Sequence, residues 1–309
     1  MNIKQILMVT LALTCATTIY AGNKHAGKEK SPVFIYAGQS NADGRAYMNE
    51  LPDYITTNKY KHVMYDNVTT VRDGQMALYS PDANNAKYVA FDAVVKYWLD
   101  QIYQQPVYAI KCTCGGTALD TLARPAKVPI WYAGEDWLSR HKAFAGHAVT
   151  GDNSLAKALI EGVNACISTT ISKDKDGYDI KAILWHQGES DRPSSAAKDY
   201  EKNFRQLITY LRQHIYEITG DENDKELPFI FGTVPTNSKQ YSDEVNKAQR
   251  KIASELKNVW FVDLGETPLK NDNLHLNGIS QEYLGKSLYN VMVTHQLLPT
   301  KKLLPVKKP

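Results

Sequence analysis

The sequence predicts an α/β fold in which a mainly parallel sheet is covered by helices on both faces. Three observations point to it. Six short apolar runs, rich in β-branched and aromatic residues, recur at 33–37, 62–65, 106–112, 180–185, 228–234 and 258–263, and each has the length of a strand. Segments with apolar residues at spacings of three and four separate most of them. No internal repeat is visible, so strands alternating with helices imply βαβ units in one domain.

The first run, Val33 to Ala37, follows Pro32 and stops at Gly38 inside "YAGQSNADGR" (36–45). A strand that ends on Gly and delivers a Ser into a polar turn exposes a hydroxyl above the sheet. Helical spacing then marks "YVAFDAVVKYWLDQIY" (88–103), "SLAKALIEGVNACISTTI" (154–171), "AAKDYEKNFRQLITYLRQHIYEI" (196–218) and "DEVNKAQRKIASEL" (243–256). The polar stretch "GDENDKELP" (220–228) reads as a loop between a helix and the next strand. Residues 114–150 are rich in Gly, Pro and Trp without clear periodicity, which at that length argues for a functional loop or an inserted lid. "DKDGYD" (174–179) begins like a calcium loop but lacks the Glu at its far end, so a plain turn is expected.

A chain of 309 residues with 43% apolar content suffices for a globular core. Residues 1–21 carry one Lys, then a run of apolar and small residues ending in "TIYA", and are expected to be a signal peptide cleaved near Ala21. That places the mature protein outside the cell or in the periplasm. A membrane anchor fits less well because the run is short and has no basic flank after it. Lipid attachment at Cys15 fits less well because Thr14 precedes it. Without residues 1–21 the charge is 35 basic against 33 acidic, or +2, no footprint for nucleic acid or an anionic membrane. The catalytic domain is expected over 30–298, and the basic tail 299–309 is expected to be frayed. Export leaves Cys112, Cys114 and Cys166, which allow at most one disulfide, between Cys166 and one of the other two. No ligand spacing for zinc is present.

Chemistry gathers in four polar blocks, each placed after or near a strand: "GQSN" (38–41), "CGGT" (114–117), "WHQGESD" (185–191) and "DNLHLN" (272–277). Carboxyl ends of parallel strands share one edge of the sheet, so these blocks can converge. A serine nucleophile needs a base, and the base needs a group that holds its tautomer. Ser40, His275 and Asp272 supply that set, although "DNLHLN" also reads as a helix cap with a surface His. Preorganised donors to an oxyanion are worth about 3 kcal/mol each. The amides of Ser40 and Gly116 and the side chain of Gln187 are candidates. Glu189 either orients His275 in place of Asp272 or braces the Gln187 loop, and the second role is preferred. A full G-x-S-x-G elbow, H-E-x-x-H and a Walker loop are all missing.

Together, "AGQSNADGR", "CGGTALD", "LWHQGESD" and "DNLHLN" resemble the SGNH-hydrolase superfamily, and within it the carbohydrate acetylesterase branch of sialate O-acetylesterase-like and acetylxylan esterase-like proteins. The likeness runs from about Pro32 to about Leu297. It implies a three-layer α/β/α sandwich with a flavodoxin-like sheet. It also implies Ser40 as nucleophile, His275 as base, Asp272 as orienting acid, and Gly116 and Gln187 in the oxyanion hole, with Glu189 as the alternative acid. The implied substrate is an acetylated glycan or sialic acid, handled through an acetyl-enzyme without cofactor or metal. Trp131, Tyr132 and Trp137 are candidates for stacking on a sugar, and Arg45 and Arg124 for meeting a carboxylate. The rival readings are a lipase-like or thioesterase-like relative and an inactive carbohydrate-binding protein on the same fold.

Overall fold

Alternation along the first strand decides the layers. In β1 (Ser31–Gly38), Val33, Ile35 and Ala37 enter one core, and Phe34 and Tyr36 enter the other. Every residue of this strand is buried, as expected where helices cover both faces. The computed structural model describes residues 29–81, 87–123, 129–146 and 152–309; the expected signal peptide and Arg124 lie outside the described residues.

Around β1 lie β2 (Val63–Asn67), β3 (Ala77–Leu78), β4 (Val107–Thr113), β5 (Tyr178–His186), β6 (Phe229–Gly232) and β7 (Val259–Val262). Their order across the sheet is β7-β6-β5-β1-β4-β2-β3. All pairings are parallel except β2 with the short edge strand β3. The six expected runs are all strands, and the anticipated fold class is the one observed. The two-residue β3 and the ribbon of Ala46–Tyr47 with Tyr88–Val89 are too short to show a period.

Five long helices fill the outer layers: α1 (Phe91–Ile102), α2 (Leu155–Thr169), α3 (Tyr200–Thr219), α4 (Asp243–Glu255) and α5 (Gly278–Thr294). α2, α3 and α4 pack with Val33 and Ile35, while α1 and α5 pack with Phe34 and Tyr36. Ser154, Ser242 and Asn277 cap α2, α4 and α5 by accepting from Lys157, Val245 and Ser280 amides, each cap worth about 1 kcal/mol. Gly220 ends α3 with φ 70°, a left-handed turn open to glycine. No helix among the described residues is long and apolar enough to cross a membrane.

Sheet order positions the site. From β1 the chain crosses toward β2, whereas from β5 it crosses toward β6, so the crevice between β1 and β5 is where connections diverge. At the carboxyl edge Gly38 is in register with His186 on one side and Thr113 on the other. The turn at "DKDGYD" is as expected, closed by the Gly177 amide on the Asp174 carbonyl at 3.1 Å.

Cys112, Cys114 and Cys166 are all free thiols, within the limit of at most one disulfide, and Cys166 points at the Asp66 carboxylate 3.5 Å away. One expectation fails. The tail is docked rather than frayed: Leu304 is buried, its amide donates to Asn290 Oδ1 at 2.8 Å, and its carbonyl accepts from Asn290 Nδ2 at 2.9 Å. Three apolar residues between lysine pairs, Leu303, Leu304 and Val306, carry no periodicity, and the complementary amide lies on α5. Leu304→Ala should therefore cost about 1–3 kcal/mol, read as a lower urea midpoint, whereas a frayed tail would leave that midpoint unmoved.

Candidate active site

Gly38 ends β1 with φ 137°, and a Cβ there would drive into the His186 carbonyl. Only glycine lets the chain turn so close to β5. Gln39 N then donates to His186 O at 3.0 Å. A single short turn of helix, Ser40–Asp43, follows. Ser40 is thus held at the carboxyl edge of the sheet, nearly buried.

Opposite it, the turn after β7 holds a carboxylate–imidazole pair. Asp272 Oδ2 lies 2.6 Å from His275 Nδ1, and Oδ1 accepts from the amides of Leu274 and His275 at 2.9 and 3.0 Å. Partial burial pushes the Asp272 carboxyl up, but the His275 amide and imidazole and the Leu274 amide outweigh it and hold it at about 2.

Asn41 joins the two. Its Oδ1 accepts from the Leu276 amide at 2.9 Å, its Nδ2 donates to Glu189 Oε1 at 2.7 Å, and its carbonyl accepts from Gln281 Nε2 at 3.0 Å. The residue after Ser40 therefore grips the residue after His275. No hydrogen bond links the Ser40 hydroxyl to the His275 imidazole directly, and such contacts commonly tighten only when substrate binds. Asn41 stood in "GQSN", but nothing in one block reveals which distant amide a side chain will meet.

Glu189 faces Asn41 and not His275. Its Oε1 also lies 3.5 Å from His186 Nδ1. His186 is fully buried, and burial, opposed by Glu189, holds its pKa below the usual imidazole value.

Gly116, with φ 71°, turns the chain after β4, and neither its amide nor that of Ser40 has a partner among the described residues. Gln187 departs from expectation. Its Nε2 donates to Thr117 O at 3.1 Å and Asp191 Oδ2 at 2.5 Å, and these two bonds use both N–H groups, leaving none for an oxyanion. Asp191 also accepts from the Leu119 and Asp120 amides at 2.9 Å each. Burial raises the Asp191 carboxyl to about 7 against the pull of Leu119, Gln187 and Asp120. Together Gln187 and Asp191 anchor the segment that follows Gly116.

Arg45 is beside Ser40. A Cβ on Gly115 would stand 2.5 Å from Arg45 Nη2 and 3.6 Å from Ser40 Cβ, so the missing side chain makes room for the guanidinium. Asp43 Oδ2 and the Gly44 carbonyl hold Nη1 at 2.7 and 2.5 Å. Trp131 is a second correction: it is fully buried, edge-on to Trp185 at 4.9 Å, and donates to Thr117 Oγ1 at 3.2 Å, so it packs the loop onto the sheet. Trp137 remains half-exposed, stacked on His141 at 3.8 Å. No group of three or more His, Cys, Asp or Glu suited to a metal exists among the described residues.

A model of the family described as carbohydrate esterase, sialic acid-specific acetylesterase, matches residues 30–294. The chain belongs to this family. A probable carbohydrate esterase of Arabidopsis thaliana is 39% identical over 123 residues, 40% of this chain and 44% of the relative. The match therefore spans less than half of that relative's length. Among solved structures, an Arabidopsis thaliana protein is 24% identical with TM-score 0.60, covering 86% of this chain and 99% of that one. A carbohydrate acetylesterase from Xanthomonas citri is 16% identical with TM-score 0.55, covering 84% and 56%. NanS is 15% identical with TM-score 0.55, covering 85% and 97%. At these identities the structures support the fold, and the family match supports carbohydrate ester hydrolysis in general. For this carbohydrate esterase family member, the four sequence blocks meet at one edge of the sheet.

Asn41→Ala should remove the link between nucleophile and base and strand Glu189 in the interior, costing about 2–4 kcal/mol in urea unfolding, with kcat down at least about tenfold. Asn41→Asp should do worse, because it sets a second carboxylate against Glu189; equal stability of both variants with the parent would refute the bridging role. The Asp272 carboxyl is depressed in the folded state, so its stabilising contribution is complete above the ordinary value of about 3.9. That contribution is lost as pH falls through about 2. A carboxyl-selective NMR titration should place the Asp272 midpoint near that value.

Proposed function

We propose that the protein is a serine esterase that removes acetyl groups from carbohydrate hydroxyls. The observation that carries this reading is the bridge by Asn41, which ties the Ser40 turn to the turn holding the Asp272–His275 pair. In the proposed reaction, Ser40 Oγ gives its proton to His275 Nε2 and attacks the acetyl carbonyl carbon. Asp272 holds Nδ1–H and balances the imidazolium that forms. The oxyanion of the tetrahedral adduct accepts from the amides of Ser40 and Gly116. Collapse breaks the ester bond as the imidazolium protonates the leaving sugar oxygen. A water molecule, deprotonated by the same imidazole, then attacks the acetyl-enzyme, releasing acetate and returning the proton to Ser40.

Gln187 serves here as a positioning residue for the 117–120 segment rather than as an oxyanion donor, and Glu189 as a brace for Asn41. An acetyl group needs only a small pocket, which suits a nucleophile nearly buried under Gly115 and Arg45.

Ser40→Ala should lower acetate release from an acetylated glycan by about 10⁴-fold or more with an unchanged urea midpoint, and a fluorophosphonate should label Ser40 in the parent alone. Asp272→Asn should cost about 10³–10⁴-fold in kcat by analogy with other triads. Labelling elsewhere, or full activity without Ser40, would sink the assignment.

A further inference from the structure

An aromatic pair beside the site takes no part in the chemistry above. Tyr47 and Tyr88 are paired across the short antiparallel ribbon. Their rings lie 5.2 Å apart with a 32° tilt, and the two residues are 45% and 47% exposed. Lys270 Nζ stands 3.8 Å above the Tyr47 ring and 5.2 Å from the Tyr88 centroid.

This corner is tied to both halves of the catalytic edge. Lys270 Nζ donates to the Arg45 carbonyl, and the Lys270 amide donates to the His275 carbonyl at 2.7 Å. Arg45 is clamped through Nη1, and its Nη2 points toward Gly115 beside Ser40. The Glu50 carboxylate is turned onto the Tyr47 and Gly278 amides. Neither Lys270 nor Arg45 Nη2 meets a carboxylate among the described residues.

Two half-exposed aromatic rings on a rigid ribbon present an apolar surface with few torsions to freeze. Such a surface suits the C–H face of a pyranose. The adjacent cations supply donors and charge for an acidic substituent at the edge of that ring.

We infer that Tyr47, Tyr88 and Lys270, with Arg45, form an accessory subsite for the sugar next to the acetylated one in an acidic glycan. The neighbouring pyranose stacks on the tyrosines and its carboxylate meets Lys270 and Arg45 Nη2. This rests on the esterase reading and adds that the substrate is an oligosaccharide spanning Ser40 and the ribbon.

The test compares the parent with Tyr47→Ser/Tyr88→Ser, Tyr47→Phe/Tyr88→Phe and Lys270→Met on acetylated oligogalacturonide, acetylated xylo-oligosaccharide and p-nitrophenyl acetate. The Ser pair should raise KM for the acidic oligosaccharide about tenfold, the equivalent of one stacking contact, with kcat within about twofold. The Phe pair should retain most of the parent's affinity. Lys270→Met should raise KM for the acidic substrate and leave the neutral one unmoved. All three variants should leave KM for p-nitrophenyl acetate within about twofold. An unchanged KM for the acidic oligosaccharide in the Ser pair, or an equal rise for p-nitrophenyl acetate, would overturn the subsite. Equal losses on neutral and acidic substrates in Lys270→Met would overturn its acidic character. Calorimetry with unacetylated oligogalacturonide should give the same ranking in Kd, and that readout stands even if the parent hydrolyses none of the esters, the outcome that would instead defeat the esterase reading.

Discussion

The arrangement depends on the side chain of one asparagine. Asn41 presents an acceptor and a donor from one planar group, and the structure uses both at once, on the Leu276 amide and on Glu189. Aspartate would lose the donor and leucine would lose both. Because Asn41 follows Ser40 directly, its side chain ties the turn after β1 to the turns after β5 and β7. Gln281 extends the tie: Nε2 donates to the Asn41 carbonyl and Oε1 accepts from the Phe91 amide at 2.8 Å, so the starts of α1 and α5 join the same network. Buried hydrogen bonds of this kind rigidify what they touch, with Glu189 Oε2 the one carboxylate oxygen of the set that has no partner among the described residues.

A second buried network supports the Ser40 turn from beneath. Asp92 on α1 receives Lys96 Nζ at 2.7 Å and Lys111 Nζ at 3.1 Å, and Lys111 also donates to the Asp43 carbonyl at 3.1 Å. Burial lowers the Lys96 ammonium to about 8 despite Asp92. Burial pushes the Asp92 carboxyl up, but Lys111 and Lys96 overcome this and hold it below its usual value. Desolvating three charges brings little net stability. Its return is positional: β4 and α1 fix the Asp43 carbonyl at the end of the turn carrying Ser40, and Thr113 Oγ1 and Arg45 fix the Asp43 carboxylate.

Those networks also explain what a reader of the sequence sees and misses. Strands buried on both faces leave unbroken apolar runs, so β1, β4 and β5 are plain from local composition, and apolar spacing marks α1 to α4. The blocks around Ser40, Gly116, Gln187 and His275 were legible as a set because parallel strands must end on one edge. Direction within a block was not. Trp131 lies in an aperiodic loop, where nothing local says whether an indole faces solvent or, as here, Trp185. Leu304 sits among lysines, and its burial is decided by Asn290 on a helix the tail has already left.

Gln187 is the most instructive case, since its position in the block is as expected while its hydrogen bonds run elsewhere. Its two N–H groups bind Thr117 O and Asp191, Tyr200 donates to its Oε1 at 3.2 Å, and Asp191 in turn holds the Leu119 and Asp120 amides. A side-chain donor in an oxyanion hole has rotatable bonds that must be frozen when charge develops, whereas a backbone amide is already fixed by its neighbours. By using Gln187 to immobilise the chain just beyond Gly116, the fold makes a flexible side chain the support of a fixed backbone amide. In the proposed reaction the side chain acts through the orientation of the Gly116 N–H, and loss of that amide's alignment is the way its removal would be felt.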